Sequence, residues 1–361
     1  MATSADLAGA RGPVRLGILG AGRAVRGYHI PAIQALPELF AITAVCDVLK
    51  DRRDTLGGIY PDAQLYRRER DIFDDPNVDV VLVATPSSNH EEHIRAALAQ
   101  NKWVVAESPV AMSYEGAQLL KAAAQRARGR LLPVVRGLFE PEFLLAKRVR
   151  GDKRLGEIYS VAVRRSDYLR RDDWQSVQRC GGGAAWYAAP DALAQTIALM
   201  GAPPVNLWSD LKRIAATGDA EDFVQMRLKT RDGLTGGIDI NGGRIPPFPP
   251  QIEIAGAKGE FFAEAGATEG TLRIIDPKTN FPRRRASVRT PDLGDRHEKF
   301  EVLDVPVALD AEDMEDVGAQ AFWKAVYMTV ARAAEFPVSL DDTVEIIRYL
   351  QIAKKSSPFA S

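Results

Sequence analysis

The sequence predicts a two-part α/β protein. An N-terminal doubly wound parallel sheet is followed by a C-terminal α+β part with a large, mostly antiparallel open sheet. Three observations predict it. An apolar run, Val14 to Leu19, leads into Gly20-Ala21-Gly22 and a helix-compatible segment. Short apolar runs then alternate with helical patterns as far as Val135, which gives parallel strands joined by helical crossovers. In the second half, strand-like runs follow one another without helices between them, the pattern of an antiparallel sheet.

The composition sets limits on these parts. With 361 residues, the chain has room for two domains and a sizeable core. A formal net charge of −1 points to neither nucleic acid nor an anionic membrane as a partner. Cys46 and Cys180 stand far apart, outside any CxxC pair, and the four histidines do not cluster, so neither a metal site nor a disulfide framework is expected. The N-terminal MATSADLAGARGP lacks an apolar core of signal-peptide length, and no run reaches the about 18 apolar residues of a membrane span. A cytoplasmic protein with a disordered leader over 1–12 is expected. Arg283-Arg284-Arg285 reads as a solvated loop.

In chain order, Val14 to Leu19 is a strand buried on both faces. The glycine turn after it lets backbone N–H groups approach a pyrophosphate, and the following helix dipole favours that charge. Arg26 to Leu36 has helical spacing, with a local irregularity expected at Pro31. Ile42 to Cys46 is a second strand closed by Asp47, 25 positions after Gly22. An acidic residue there accepts ribose hydroxyls and repels a 2′-phosphate, which favours NAD over NADP; the same carboxylate is also suited to capping the next helix. Val78 to Ala84 is a buried strand ending in Thr85-Pro86-Ser87-Ser88-Asn89-His90, and Trp103 to Ala106 is one ending in Glu107-Ser108-Pro109. A helix over 91–100 lies between them. Ser113 to Arg126 reads as a helix capped by Ser113, and Leu131 to Val135 as a further strand. Gly20, Asp47, Thr85 and Glu107 all fall at carboxyl ends of strands, where such sheets bind ligands. The third fingerprint position is Val25 instead of glycine, which implies a slightly wider helix approach. Beyond them, Glu157 to Tyr168, Phe223 to Leu228, Leu234 to Ile240, Gln251 to Ile254 and Phe300 to Val305 read as strands, and Met314 to Glu335 and Asp341 to Lys354 as late helices able to pack back on the first part. One sheet face needs helices to cover it. The other is free for a partner subunit.

These residues carry a resemblance. GILGAGRAVRGYHIPAI, AVCD, VDVVLVATPSSNHEEHIRAALAQNKWVVAESP, Gly181-Gly182-Gly183 and IEIAGAKGEFF together resemble the Gfo/Idh/MocA oxidoreductase family over essentially the whole chain. The resemblance implies a Rossmann domain over 13–136, a substrate and oligomerisation domain over 137–340, and a C-terminal helix over 341–361 that returns to the first domain. It also implies a homodimer or homotetramer formed through the open sheet, and NAD(P)-dependent chemistry on a hydroxyl of a sugar, cyclitol or related molecule. Carried over residue by residue, Gly20, Gly22 and Arg23, with Ala24 beside them, match the phosphate loop. Asp47 matches the ribose position. Thr85, Pro86 and His90, with Ser87 between, match the segment near the nicotinamide, and Glu107 matches the glutamate of an E-K-P motif.

The catalytic positions depart from the family pattern. Its E-K-P lysine is Ser108, and its later aspartate and histidine are Tyr187 and Asp191. A serine hydroxyl neither acts as an unaided base nor supplies a cation for an alkoxide. Two readings stay open. In one, the chain is a redox enzyme in which Asp191, Tyr187 and Ser108 handle the proton; Tyr187 and Asp191 share a face if the stretch is helical throughout, and Pro190 between them speaks against that. In the other, it is a non-catalytic NAD-binding sensor, regulator or assembly protein, with Tyr187 filling space and Asp191 capping a helix. A lyase or epimerase step through transient oxidation is a third option. Arg136, Arg164, Arg165 and Arg179 face either an anionic ligand or solvent, and Trp186 is assigned to the core.

Overall fold

The computed structural model describes residues 12–281 and 298–359. The Arg283-Arg284-Arg285 run, and all of the expected leader except Gly12, lie outside the described residues. The first sheet has six parallel strands in the order β3-β2-β1-β4-β5-β6. They are β1 (Val14–Leu19), β2 (Phe40–Cys46), β3 (Gln64–Tyr66), β4 (Val80–Val83), β5 (Trp103–Ala106) and β6 (Leu131–Pro133). β1 pairs with β2 on one side and β4 on the other, and Leu16 and Ile18 are fully buried. The strand order reverses between β1 and β4, so a crevice opens beyond their carboxyl ends.

The helices of this part are α1 (Ile30–Gln34), α2 (Lys50–Ile59), α3 (Glu69–Asp74), α4 (His90–Ala99) and α5 (Tyr114–Arg126). The irregularity expected at Pro31 sits one turn earlier, as a π-helical turn over Val25–His29. Pro31 has no N–H to offer Gly27, and the Ile30 N–H instead bonds five residues back to Val25. Ser113 caps α5, its hydroxyl accepting from the Gly116 N–H at 3.0 Å. The last apolar run is shorter than expected: β6 stops at Pro133, and the chain turns at Arg136–Phe139.

The second sheet has eight strands in the order β14-β13-β12-β11-β7-β10-β9-β8. They are β7 (Ile158–Ser166), β8 (Asn206–Lys212), β9 (Phe223–Lys229), β10 (Thr235–Asn241), β11 (Ile252–Gly256), β12 (Gly259–Ala263), β13 (Glu269–Ile275) and β14 (Val302–Ala308). Only the central β7–β10 pair is parallel. Its helices are α6 (Pro141–Val149), α7 (Ala184–Tyr187), α8 (Ala189–Met200), α9 (Gly318–Arg332) and α10 (Leu340–Lys355). Strands β3, β8, β12 and β13 and helix α6 were not anticipated from the sequence. β12 and β13 open on Gly259 and on Glu269-Gly270, and Glu260 and Arg273 interrupt them, so their apolar signal is weak.

Val161, Val163, Ile238, Ile252, Phe261 and Leu272 are buried on the face covered by α6, α8 and α10. The opposite face carries exposed Trp208 and the pairs Arg164–Glu253 (3.0 Å) and Arg273–Asp304 (2.8 Å). Helix α10 also lies along α5, where the Tyr114 N–H donates to Gln351 Oε1 at 2.8 Å. From α9, the fully buried Phe322, Trp323 and Tyr327 pack against His29 and Phe40 of the first part. The two parts therefore share one core. Trp186 lies in it, 4% exposed.

Candidate functional site

The glycine turn closes the β1 end of the crevice. Gly20 has φ +94°, and a Cβ there would stand 2.6 Å from the Ala84 carbonyl oxygen and 2.9 Å from the Thr85 nitrogen. Only glycine lets β1 and β4 loops approach this closely. Gly22 is different: an added Cβ would meet nothing nearer than the Arg52 guanidinium at 3.9 Å. That open flank, next to backbone N–H groups at the start of a helix, fits a pyrophosphate. Ala24 leads into the π-turn, and Val25 at the third fingerprint position is fully buried. Exposed Arg23 reaches across the crevice, donating to Gln175 Oε1 at 2.8 Å in the second part.

Asp47 is buried at the end of β2. Its Oδ2 accepts from the Ala21 N–H and its Oδ1 from the Leu49 N–H, both at 2.9 Å. The carboxylate thus braces the glycine turn, and it also starts the bend before α2. Arg52 stands 3.7 Å from Oδ2. Each carboxylate oxygen has a second lone pair for a ribose hydroxyl.

Beyond β4, Thr85 Oγ1 pairs with His93 Nδ1 at 3.0 Å, and Pro86 precedes the short turn Ser87–Asn89. Ser87 is buried against Gly181 of the second part. The resemblance set His90 in the segment near the nicotinamide, and the structure gives its ring internal partners. The ring is 1% exposed, with its two nitrogens 2.8 Å from the Thr85 and Pro109 carbonyl oxygens. His90 ties the β4 and β5 loops together, and burial keeps it below the usual imidazole pKa.

The end of β5 meets His29, which sequence reading missed, and Arg136, which it left open between an anionic ligand and solvent. Glu107 Oε1 accepts from His29 Nε2 at 2.6 Å and from Arg136 Nη2. Trp323 Nε1 donates to the other ring nitrogen of His29 at 3.2 Å, so Nε2 carries the proton toward Glu107. Burial lowers the His29 pKa and leaves the ring neutral, which makes this contact a neutral-donor hydrogen bond to a carboxylate. Burial opposes ionisation of Glu107, but Arg136 and the His29 bond outweigh it and hold the carboxyl at about 2. The Arg136 guanidinium stacks 4.4 Å from the Tyr28 ring centroid.

The three positions expected to carry chemistry separate. The Ser108 hydroxyl donates to the Val134 carbonyl at 2.6 Å. Tyr187 ends α7, beneath the Arg171 guanidinium at 4.7 Å from its ring centroid. Asp191 lies in α8 beyond a break at Ala188 (φ −126°), so the shared helical face considered for this pair does not form. Pro190 sits in the first turn of α8, where its missing N–H leaves no carbonyl unpaired. Asp191 Oδ1 accepts from the Gly137 N–H at 3.1 Å, next to Arg136. Burial and the Glu140 charge push its pKa up to about 6 against the pull of that N–H, Arg165 and Arg136. Of the three, Asp191 is the one that reaches from the second part to the Arg136–Phe139 turn. A Cβ on Gly137 would stand 3.0 Å from the Asp191 Cβ, so glycine there permits the approach. The arginines left open by the sequence are paired, Arg136 to Glu107, Arg165 to Glu140 and Arg164 to Glu253, while Arg179 is exposed.

Residues 14–134 match the family described as "Oxidoreductase family, NAD-binding Rossmann fold", and residues 143–262 match the "GFO/IDH/MocA C-terminal domain". The scyllo-inositol 2-dehydrogenase (NADP(+)) IolW of Bacillus subtilis is 24% identical, over 95% of this chain and 94% of its own. The rhizopine catabolism protein MocA of Rhizobium meliloti is 30% identical, over 70% of this chain and 78% of its own. The structure of GenD2 from gentamicin A biosynthesis in complex with NAD superposes with a TM-score of 0.76 at 22% identity, over 95% of this chain and 94% of that one.

Proposed function

The chain belongs to the Gfo/Idh/MocA oxidoreductase family, with its NAD-binding Rossmann fold, and we propose that it is an NAD-dependent enzyme acting on a hydroxyl or carbonyl of a sugar, cyclitol or similar small molecule. The observation that carries this reading is the arrival of Asp191, from the second part, at Arg136 and Glu107 beyond β5 and β6. A carboxyl with its pKa raised to about 6 is matched to taking a substrate proton near neutral pH. The cluster lies on the nicotinamide side of the switch point, opposite the ribose side marked by Asp47. The open flank at Gly22 and the second lone pairs of Asp47 support a bound dinucleotide, and the Asp47 charge supports NAD over NADP. Once bound, the nicotinamide supplies the hydride-accepting chemistry. The chain's own work is to orient the substrate and receive its proton at the Asp191 carboxylate. Arg136, held by Glu107, keeps a positive charge beside that carboxylate. We further propose that it works as a cytoplasmic dimer or tetramer, joined through the uncovered sheet face that carries Trp208.

A second reading, a non-catalytic NAD-binding sensor, regulator or assembly protein, is favoured by the internal engagement of Ser108 and Tyr187. One screen separates the two. Wild-type protein and Asp191→Asn are incubated with NAD and a panel of cyclitols, sugars and sugar acids, and NADH formation is followed by absorbance. Turnover that Asp191→Asn reduces by about two orders of magnitude or more is expected. NADH binding without turnover on any member of the panel overturns the enzymatic reading and favours the second.

A further inference from the structure

Tyr28 lies in the π-turn after the glycine loop. Its hydroxyl is buried and has no hydrogen-bond partner among the described residues. Native proteins rarely keep such a group unless something outside the fold completes it. The Tyr28 ring has Arg136 over one side, 4.4 Å from its centroid, and meets His29 edge to face with ring centroids 5.1 Å apart. Burial and the neighbouring carboxylates of Asp191, Glu107 and Glu140 outweigh Arg136 and raise the phenol pKa, so it remains a proton-bearing donor throughout the neutral range. Arg136 keeps 30% of its side-chain surface, so solvent reaches this guanidinium, which lies over the Tyr28 ring. Asp191 enters from α8 and is fixed by the Gly137 N–H.

This set has a definite valence. Two donors, a phenol and a guanidinium, stand with one carboxylate acceptor. An alcohol oxygen accepts two hydrogen bonds and donates one, which matches it. The arginines beside Asp191 are matched by carboxylates: Arg136 faces Glu107 and Arg165 faces Glu140 at 2.7 Å, and Asp191 adds a further carboxyl. A phosphate or carboxylate ligand would enter against that balance.

We propose that Tyr28 and Arg136 together bind one hydroxyl oxygen of an uncharged polyol substrate, and that this hydroxyl donates to Asp191. The inference rests on the oxidoreductase reading and names its substrate class and two residues that grip it. Tyr28 and Arg136 are drawn together from the turn after β1 and the end of β6, two segments that no single motif joins.

The test is binding, independent of turnover. NADH affinity is first measured by fluorescence for the wild type, Tyr28→Phe and Arg136→Lys. Calorimetry on the NADH-loaded proteins then uses myo-inositol, scyllo-inositol and D-glucose as uncharged probes, and D-glucuronate and D-glucose 6-phosphate as anionic ones. At least one uncharged probe is expected to bind the wild type, ahead of both anions, and Tyr28→Phe should weaken it about tenfold, the worth of one lost hydrogen bond. Tyr28→Phe keeps the ring under Arg136 and removes only an unpartnered hydroxyl, so its melting temperature should equal or exceed that of the wild type. A lower melting temperature would show that the hydroxyl has an internal partner and would overturn the inference. So would tighter binding of an anion, unchanged affinity in Tyr28→Phe, or no binding of any uncharged probe to protein that holds NADH. Failure to bind NADH at all overturns the oxidoreductase reading itself, and this inference with it.

Discussion

Two alanine substitutions, two positions apart, separate what the glycine turn does for the fold from what it does for the cofactor. Gly20→Ala places a Cβ 2.6 Å from the Ala84 carbonyl oxygen and 2.7 Å from its carbon, on a backbone with φ +94°. The left-handed conformation costs an L-residue roughly 1–2 kcal/mol. Forcing backbone away from backbone at the buried β1–β4 junction adds about 1–3 kcal/mol. Gly20→Ala should therefore lose about 2–5 kcal/mol of stability. Gly22→Ala meets only a flexible guanidinium at 3.9 Å, so its stability should stay within about 0.5 kcal/mol of the wild type. Its methyl group nevertheless fills the flank offered to the pyrophosphate. NADH affinity should fall at least about tenfold, or roughly 1.4 kcal/mol. Urea unfolding followed by circular dichroism measures the first quantity, and NADH fluorescence titration the second. The reasoning is refuted if Gly22→Ala binds NADH as the wild type does, or if the two variants are equally destabilised.

Other expectations follow from the same geometry. Asp47→Ala removes the acceptor of the Ala21 and Leu49 N–H groups and should weaken NADH more than NADPH; an unchanged ratio of the two affinities counts against a ribose role. Lys354 and Glu221 form a buried pair at 3.3 Å, so Lys354→Met should cost about 3–5 kcal/mol in urea unfolding. That loss should shrink as pH falls, because burial already raises the Glu221 pKa and Lys354 opposes the rise. A pH-independent loss would show that the charge is not what matters. Asp191 must be ionised to accept a proton, so alcohol oxidation should decline below an inflection near pH 6, absent from Asp191→Asn. The linked stability runs the other way. A raised carboxyl pKa contributes stability at low pH, and that contribution is lost as pH rises through about 6.

Much of the first sheet was legible in the sequence because its strands are continuous apolar runs, buried on both faces and separated by helical patterns. β1, β2, β4 and β5 announce themselves in this way. The second sheet was legible in outline only. One of its faces is uncovered, so polar and small residues interrupt the apolar ones; β8 and β13 have few apolar residues, and β12 is short and opens on Gly259-Glu260. Around the crevice, the turn at Gly20 and Gly22 and the place of Asp47 at the end of β2 were legible because each answers to local backbone geometry. His29 was not, and the role of Arg136 stayed open, since their partner Glu107 lies 78 and 29 positions away.

The sequence by itself determined the glycine turn, the acid that closes β2, the strand ends around the crevice, and the family those motifs resemble. These are local matters of φ, dipole and strand termination, written in neighbouring residues. Only the tertiary structure decided which polar groups meet there. It turned Ser108 toward Val134, set Tyr187 beneath Arg171 across a helix break, and brought Asp191, Arg136, Glu107 and Tyr28 to one place. The reason is physical. A buried charge or hydroxyl takes its partner from whatever the packing of distant segments brings within hydrogen-bond reach, and no spacing along the chain encodes that distance.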